Sequence, residues 1–294
     1  MPKVVVIGES GQLAQSLRAL SWPAGFELAF HGRRSLRGFE ADLLGELLRA
    51  EDAGLVLNAA AYTAVDRAES EPAAAAALNA ELPRALAAAC RELDVPLVHV
   101  STDYVFDGEK RSPYLETDAP NPLGVYGATK LAGDRNLERS ELPRWAILRA
   151  SWIVSEIGET FPVKILRRAR TGEALRVVDD QWGCPTAASD LAKAMQAIGL
   201  RLLDGDRRAG GLFNFSGASE MSWHGFTEKL LAAAASLGLK PPALQTMSTA
   251  ELKAPARRPA YSVLSCARIE QACGLSGAPI EHDVERMVRR ILAA

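Results

Sequence analysis

Hydrophobic positions along this chain follow two different spacings. Short apolar runs predict strands that are buried on both faces of a sheet, and they lie at 4–7, 26–30, 55–57, 97–100, 145–148 and 212–215. Apolar residues at helical spacing predict helices between these runs, at 12–20, 43–50, 72–93 and 127–139. Strands that alternate with helices indicate an α/β protein with a Rossmann-type, doubly wound parallel sheet.

The pattern changes after the last predicted strand. The chain becomes less regular and mainly helical, and it ends in an amphipathic stretch at 283–292. The polar run at 179–183 looks like a loop that belongs to the same later part. We therefore predict two units, a dinucleotide-binding Rossmann domain and a smaller, discontinuous substrate-binding lobe, with the boundaries 1–170 and 188–218 for the first and 171–187 and 219–294 for the second.

Composition and charge exclude several classes of protein. The chain has 294 residues and a formal net charge of −2, so it lacks the basic surface of a nucleic-acid-binding protein. Its four cysteines have no metal-ligand spacing and no paired framework. The opening apolar run, at 4–7, is too short to cross a membrane, and no secretory signal precedes it. We expect a cytoplasmic protein with neither a nucleic acid nor a membrane as partner.

Small and polar residues cluster where the predicted strands end. Gly8 and Gly11 follow the first strand, 59–63 follow the third, 101–103 follow the fourth, and Trp152 follows the strand at 145–148. In doubly wound sheets, ligands bind beyond the carboxyl ends of the strands. One crevice is therefore expected to collect these residues.

The turn after the first strand has the composition of a dinucleotide-binding turn. Gly8, Gly11 and Ala14 stand at three-residue intervals before a predicted helix. Small residues let the backbone approach a pyrophosphate, and the helix N-terminus supplies N–H groups and a favourable dipole. Glycines also occur in ordinary tight turns, so the position directly after the first strand is what favours a cofactor.

The end of the second strand favours NADPH over NADH. No acidic residue follows this strand, whereas Arg33 and Arg34 do, and an arginine suits the 2′-phosphate of NADPH. Asp42 comes later and could still lie near the adenine or its ribose, so NADH stays an alternative. The simpler interpretation of the two arginines is a solvated surface loop.

Tyr126 and Lys130 form the candidate catalytic pair. They are four residues apart in a predicted helix and therefore project from the same face. A tyrosine has an unperturbed pKa of about 10, and a nearby ammonium is expected to lower it and prepare the tyrosine as a proton donor. Lys130 can also reach a cofactor ribose. A hydroxyl from Thr102 or Ser101 is placed to hold the substrate oxygen.

The motifs together resemble those of the extended short-chain dehydrogenase/reductases and, within them, the dTDP-4-dehydrorhamnose reductases. The resemblance covers nearly the whole chain, through segments at 8–14, 58–66, 101–108, 126–130 and 178–186 and through Arg258, Pro259, Ser262 and Leu264. It implies a reductase that uses NADPH to convert the 4-keto group of dTDP-6-deoxy-L-lyxo-4-hexulose, giving dTDP-L-rhamnose for cell-surface polysaccharide.

The resemblance also implies roles for individual residues. Tyr126 would be the general acid, Lys130 its electrostatic partner and a ribose ligand, and Thr102 a helper. Asp103 would contact the sugar and Trp152 the substrate nucleotide. The cofactor would be bound by three groups of residues, namely Gly11, Gln12 and Leu13 at the pyrophosphate, Asp42 and Leu43 on the adenine side, and Ala61, Tyr62 and Thr63 along its length.

The chain departs from the family pattern at two positions. Ala14 replaces the third glycine of the turn, a change that the helix–strand contact can accept. Ser16 stands where some relatives carry a glutamate that binds magnesium in a dimer. We therefore expect no essential metal, and either a monomer or a homodimer.

The first alternative is a non-catalytic regulatory subunit of the methionine adenosyltransferase type, which has no need of an acid and its lysine. The second is another nucleotide-sugar reductase or epimerase, or a dehydratase. Dehydratases of this fold typically carry an acidic pair beside the helper hydroxyl, whereas a single aspartate follows Thr102 here.

Overall fold

A computed structural model describes residues 3–33, 35–36 and 39–294 of the chain. The strands in that part are β1 Lys3–Ile7, β2 Leu28–His31, β3 Ala53–Asn58, β4 Leu97–Thr102, β5 Trp145–Ala150, β6 Ile153–Val154, β7 Leu175–Val178, β8 Trp182–Gly183, β9 Thr186–Ala187, β10 Gly211–Phe215, β11 Met221–Ser222 and β12 Leu244–Met247. The α-helices there are α1 Gln12–Ala19, α2 Ala41–Ala50, α3 Val65–Ala68, α4 Pro72–Ala76, α5 Leu82–Leu93, α6 Val125–Glu138, α7 Phe161–Ala169, α8 Ala188–Leu203, α9 Trp223–Ser236, α10 Thr249–Leu252, α11 Ala267–Cys273 and α12 Glu281–Ala293.

The main sheet has the order β2-β1-β3-β4-β5-β10 within the described residues, and all its neighbouring strands are parallel. The chain runs from β1 outward to β2 and then returns past β1 to β3. Beyond the ends of β1 and β3, the connections therefore leave in opposite directions, and this opens the crevice in which such sheets bind ligands. The predicted α/β, Rossmann-type fold is confirmed.

Helices cover both faces of the sheet. Helices α1, α8 and α11 pack on one face, and α2 and α5 pack on the other. The predicted helix at 72–93 is interrupted, because a π-helical turn at Ala77–Glu81 separates α4 from α5. The strand residues are apolar on both faces because both faces lie under helices.

A second hydrophobic core lies outside the sheet. It is formed by α7, α9 and α12 together with β7, and β7 pairs in parallel with β12. Helix α7 packs in this second core, although the predicted boundary at residue 170 assigns it to the sheet domain. Helix α11 packs against the sheet, although it falls inside the predicted range of the second lobe. The two-unit division itself stays a prediction.

None of the helices in the described ranges is both long enough and apolar enough to cross a membrane.

Candidate active site

The turn after β1 brings the ends of β1 and β3 together. Gly8 has a φ of 122°, a conformation that side chains rarely adopt, and its N–H donates to the carbonyl of His31 at 2.8 Å. A Cβ at Gly8 would lie 3.3 Å from the backbone of both Ala59 and Ala60. A glycine at this position therefore lets the turn lie directly against the segment that follows β3.

The start of α1 fits the phosphates of a dinucleotide. A Cβ built at Gly11 would meet no atom within 4 Å, so this position faces open space. No side chain caps the helix, which leaves the first N–H groups of α1, including those of Gln12 and Leu13, available to a ligand. The Gln12 side chain has another task, because its amide donates to the carbonyl of Ile153 at 3.1 Å and accepts from Ser155 at 2.9 Å.

A buried asparagine positions the segment of Ala61, Tyr62 and Thr63. The Asn79 oxygen accepts from the Tyr62 N–H at 2.8 Å, and its amide donates to the Tyr62 carbonyl at 3.2 Å and to Thr129 Oγ1 at 3.1 Å. The segment is therefore fastened to α6, which carries the candidate catalytic pair. Sequence analysis missed Asn79, although a polar residue in an alanine-rich helix signals a buried hydrogen bond.

The remaining cofactor residues predicted from the sequence lie near the surface. Arg33 is exposed just after β2, Asp42 is exposed in the first turn of α2, and Leu43 beside it is half-buried. Arg34 lies outside the described residues. The contacts described for Arg33, Asp42 and Leu43 do not indicate whether these side chains bind a cofactor. Their roles therefore stay predictions.

Thr102 and Asp103 meet at the carboxyl end of β4. The Thr102 hydroxyl donates to Asp103 Oδ1 at 3.0 Å and accepts from the Tyr104 N–H at 3.2 Å. The Ser151 hydroxyl donates to Asp103 Oδ2 at 3.3 Å. Burial raises the pKa of Asp103 to about 6, against the effect of its hydroxyl partners.

Tyr126 lies in the first turn of α6, half-buried, with its ring edge-on to Tyr104 at 5.7 Å between centroids. Burial raises the pKa of Tyr126 to about 12, and a hydrogen bond with the Thr102 side chain opposes this rise. The net direction is opposite to the lowering predicted from Lys130, whose charge is not among the groups that shift this pKa. Tyr126 is therefore fully protonated at neutral pH, as a proton donor must be.

Lys130 lies one turn further along α6 and is 1% exposed. Its Nζ donates to the carbonyl of Val100 at 2.6 Å and lies 3.2 Å from His99 Nε2. Burial lowers the pKa of Lys130 to about 8, while the charge of Asp134 acts in the opposite direction. Ser101, the other candidate helper hydroxyl, is buried near Asp134 rather than beside Tyr126.

Trp152 is buried and has a left-handed φ of 43°. Its ring stacks on Trp223 with centroids 3.6 Å apart and planes 3° apart. A Cβ at Gly183 would lie 2.5 Å from the Trp152 ring, so the absence of a side chain there makes room for the stack. Trp223, the outer member of the pair, lines the neighbouring cleft.

A cleft of about 620 Å³ opens between the sheet and the second core. Tyr104 and Arg258 line it on the sheet side, and Trp223 lines it on the other. Arg258 Nη2 pairs with Asp66 Oδ2 at 2.9 Å. The cleft also carries a group of cations from the second core, which are Lys164, Arg167, Arg168 and Arg176. Its charge therefore suits an anionic ligand that lies against Tyr104.

Within the described ranges, no group of three or more His, Cys, Asp or Glu side chains could hold a metal ion. At the position predicted to lack a metal ligand, the Ser16 hydroxyl donates to the Gln12 carbonyl of its own helix at 2.9 Å. The absence of an essential metal stays a prediction.

Comparison with known proteins matches the chain over its whole length. A family model described as the RmlD substrate binding domain matches residues 2–293. The dTDP-4-dehydrorhamnose reductase of Sinorhizobium fredii is 38% identical over 293 residues, which are 99% of this chain and 98% of that protein. The Escherichia coli protein of the same name is 34% identical, over 98% of this chain and 97% of its own.

Solved structures agree with these sequence matches. The Bacillus anthracis dTDP-4-dehydrorhamnose reductase, crystallised in complex with NADP, has a TM-score of 0.88 and 29% identity, over 98% of this chain and 99% of its own. A UDP-glucose 4-epimerase from Thermus thermophilus has a TM-score of 0.80 at 20% identity, over 99% of both chains. This second likeness shows a shared fold only.

Proposed function

The chain belongs to the dTDP-4-dehydrorhamnose reductase family, and we infer from this membership that it reduces the 4-keto group of dTDP-4-dehydro-L-rhamnose to dTDP-L-rhamnose with NADPH. The resemblance predicted from the sequence motifs is confirmed. The observation that carries the activity is the nearness of the Thr102 side chain, at the end of β4, to Tyr126 in the first turn of α6, the helix that also carries Lys130. A binding module of the methionine adenosyltransferase type has no need of this arrangement.

Reduction of a ketone requires a hydride on carbon and a proton on oxygen. NADPH supplies the hydride when it is bound. Tyr126 holds its proton at neutral pH and donates it to the oxygen of the 4-keto group. Thr102 lies beside Tyr126 and turns its hydroxyl from Asp103 to donate to the same substrate oxygen.

The chain offers a coherent set of groups for the cofactor. The N–H groups at the start of α1, opposite the open space at Gly11, receive the pyrophosphate. Ala61, Tyr62 and Thr63, held by Asn79, line the middle of the cofactor. On the adenine side, Asp42 and Leu43 contact the base and its ribose. Arg33 binds the 2′-phosphate and favours NADPH over NADH.

The substrate occupies the cleft between the two cores. Its diphosphate lies among the cations of that cleft, and its sugar reaches Asp103 and Tyr126. Trp152 supports this site from beneath Trp223, which faces the cleft. The protein acts in the cytoplasm as a monomer or a homodimer.

The epimerase alternative makes a different demand on the cofactor. An epimerase of this fold returns the hydride to the sugar and consumes no net NADPH, whereas the reductase consumes one NADPH for each sugar. The likeness to epimerase structures concerns the fold alone.

Absorbance of NADPH with the keto-sugar nucleotide as substrate tests the proposal. Wild-type protein is expected to consume NADPH, and Tyr126→Phe is expected to be at least about a hundredfold slower because the proton donor is lost. Tyr261→Phe is the matched control, since among the residues that the structure describes its hydroxyl bonds only to Glu220, at 3.3 Å. Its rate is expected to match wild type. If the wild-type protein consumes no NADPH, the proposed reductase activity is wrong. If Tyr126→Phe is fully active, the assignment of Tyr126 as the general acid is wrong.

A further inference from the structure

His99 lies in the middle of β4 and is fully buried. It is placed between two polar side chains, with Nδ1 3.0 Å from Asn58 Nδ2 and Nε2 3.2 Å from Lys130 Nζ. Burial holds the pKa of His99 well below its ordinary value. The imidazole is therefore neutral, and one of its nitrogens carries a proton while the other accepts.

The backbone decides which nitrogen carries that proton. The N–H of Ala60, a group that can only donate, points to Asn58 Oδ1 at 3.1 Å. The Asn58 amide nitrogen must then face His99, and it donates to Nδ1. If Asn58 were turned over, its amide would face the Ala60 N–H donor to donor. His99 Nδ1 is therefore the acceptor, and the ring proton lies on Nε2.

The position of the His99 ring proton determines which protonation state of Lys130 can form the next hydrogen bond. The Nε2–H of His99 points at Nζ, and only an uncharged amine has the lone pair to accept it. Nζ can still donate one of its hydrogens to the Val100 carbonyl. An ammonium at the same place would set two donors against each other. The hydrogen bonds thus run in one sense from Asn58 through His99 to Lys130.

We propose that Asn58 and His99 are positioning residues that favour the neutral amine of Lys130, so that the charge of this lysine, one helical turn from Tyr126 on α6, is adjustable rather than fixed. This role deepens the proposed function, and it rests on that function only in giving Lys130 a part in the reaction.

Other groups around Lys130 act in both directions. Burial already lowers the pKa of Lys130 to about 8. A hydrogen bond accepted from His99 favours the same neutral form. Asp134, on the next turn of α6, favours the ammonium. Asp134 is itself paired with Arg149 of β5 at 3.0 Å, with both side chains buried, which weakens its pull on the lysine.

The direction of these hydrogen bonds is tested by nitrogen NMR of the full-length protein. The protein is labelled with ¹⁵N-histidine and measured with and without NADP. His99 is expected to show the Nε2–H tautomer between pH 7 and 9. It can be assigned by elimination, using variants of the three other histidines, which are His31, His224 and His282, so that the core stays intact. An Nδ1–H tautomer or an imidazolium at His99 would overturn the proposal.

The substitution Asn58→Asp is expected to reverse the direction of the hydrogen bonds from residue 58 through His99 to Lys130, at nearly constant side-chain volume. Both carboxylate oxygens accept, so His99 is expected to carry its proton on Nδ1 and to accept from a Lys130 ammonium. The pKa of Lys130, followed by NMR of ¹³C-labelled lysine, is expected to rise by at least about one unit. Asn79→Asp is the matched control, because it places the same carboxylate in the core without touching His99, and the tautomer is expected to stay Nε2–H.

The proposed direction of the hydrogen bonds would be contradicted by an unchanged His99 tautomer in Asn58→Asp, or by the same tautomer change in Asn79→Asp. If Asn58→Asp does not fold, the wild-type tautomer decides the question. These spectra need no substrate, so they stand whether or not reductase activity is found.

Discussion

At the residue scale, proton affinity in this site is set by burial more than by residue type. The sequence identified Thr102, Tyr126 and Lys130 as candidates because their types and spacing suit proton transfer. It gave the wrong direction for the pKa of Tyr126, since the extent of desolvation depends on neighbours that are distant in the chain. For the same reason, no pattern in the sequence indicates that His99 faces Lys130.

Asp103 gives a prediction at this scale. The pKa of Asp103 is raised to about 6 by burial. Below that pH the acid is protonated and no longer offers Thr102 a carboxylate, so the reductase rate is expected to fall as the pH drops through about 6. The raised pKa also means that Asp103 contributes stability below its unfolded pKa of 3.8, and that this contribution is lost as the pH rises to about 6.

A pH profile of kcat, measured beside Asp103→Asn, tests this. The variant is expected to be slower and to lack the acid limb near pH 6, because an amide does not titrate. An acid limb that persists unchanged in Asp103→Asn would assign it to a different group.

At the element scale, α6 connects the chemistry to the fold. A Cβ at Gly127 would lie 2.1 Å from the Tyr104 carbonyl, and one at Gly133 would lie 2.1 Å from the Asn79 carbonyl. These two glycines therefore set how closely α6 approaches the turn that follows β4 and the π-helical turn. The main strands and helices were predictable from hydrophobic spacing, whereas this close approach and the two-residue strands β6, β8, β9 and β11 carry no periodic signal.

Gly133→Ala tests the close approach. The added methyl has to displace backbone, so the free energy of unfolding is expected to fall by about 1–3 kcal/mol in a denaturant titration. Gly225→Ala is the control, because its Cβ would lie 3.6 Å from the nearest atom, Ser222 Oγ, and its stability is expected to equal or exceed that of wild type. Equal stability of Gly133→Ala and wild type would show that α6 is free to move.

At the scale of the whole molecule, the cleft arises from two cores built from interleaved segments. The second core combines α7 with α9 and α12, which are far apart in the chain, so no local pattern indicates that they meet. This is why the sequence indicated candidate catalytic residues but assigned α7 to the sheet domain. The cations of α7 face the cleft only because of that packing.

The cleft cations give a prediction about substrate binding. Arg168 is exposed in the cleft and makes no ion pair with any described residue. Arg168→Gln is expected to raise the KM for the sugar nucleotide roughly three- to tenfold, with little change in kcat, since it removes a charge from the diphosphate site. Lys193→Gln, an exposed cation of α8 that pairs with Asp190, is expected to leave the KM unchanged. If the KM of Arg168→Gln equals that of wild type, the substrate diphosphate does not bind beside Arg168.

In the proposed reaction, a hydride passes from NADPH to carbon 4 of a dTDP-linked keto sugar. The most direct measurement uses NADPH that carries deuterium on the transferred position, and examines the sugar product by mass spectrometry and proton NMR. One deuterium is expected in each product molecule, located at carbon 4. Consumption of NADPH without deuterium at that carbon, or a converted sugar with no NADPH consumed, would contradict it.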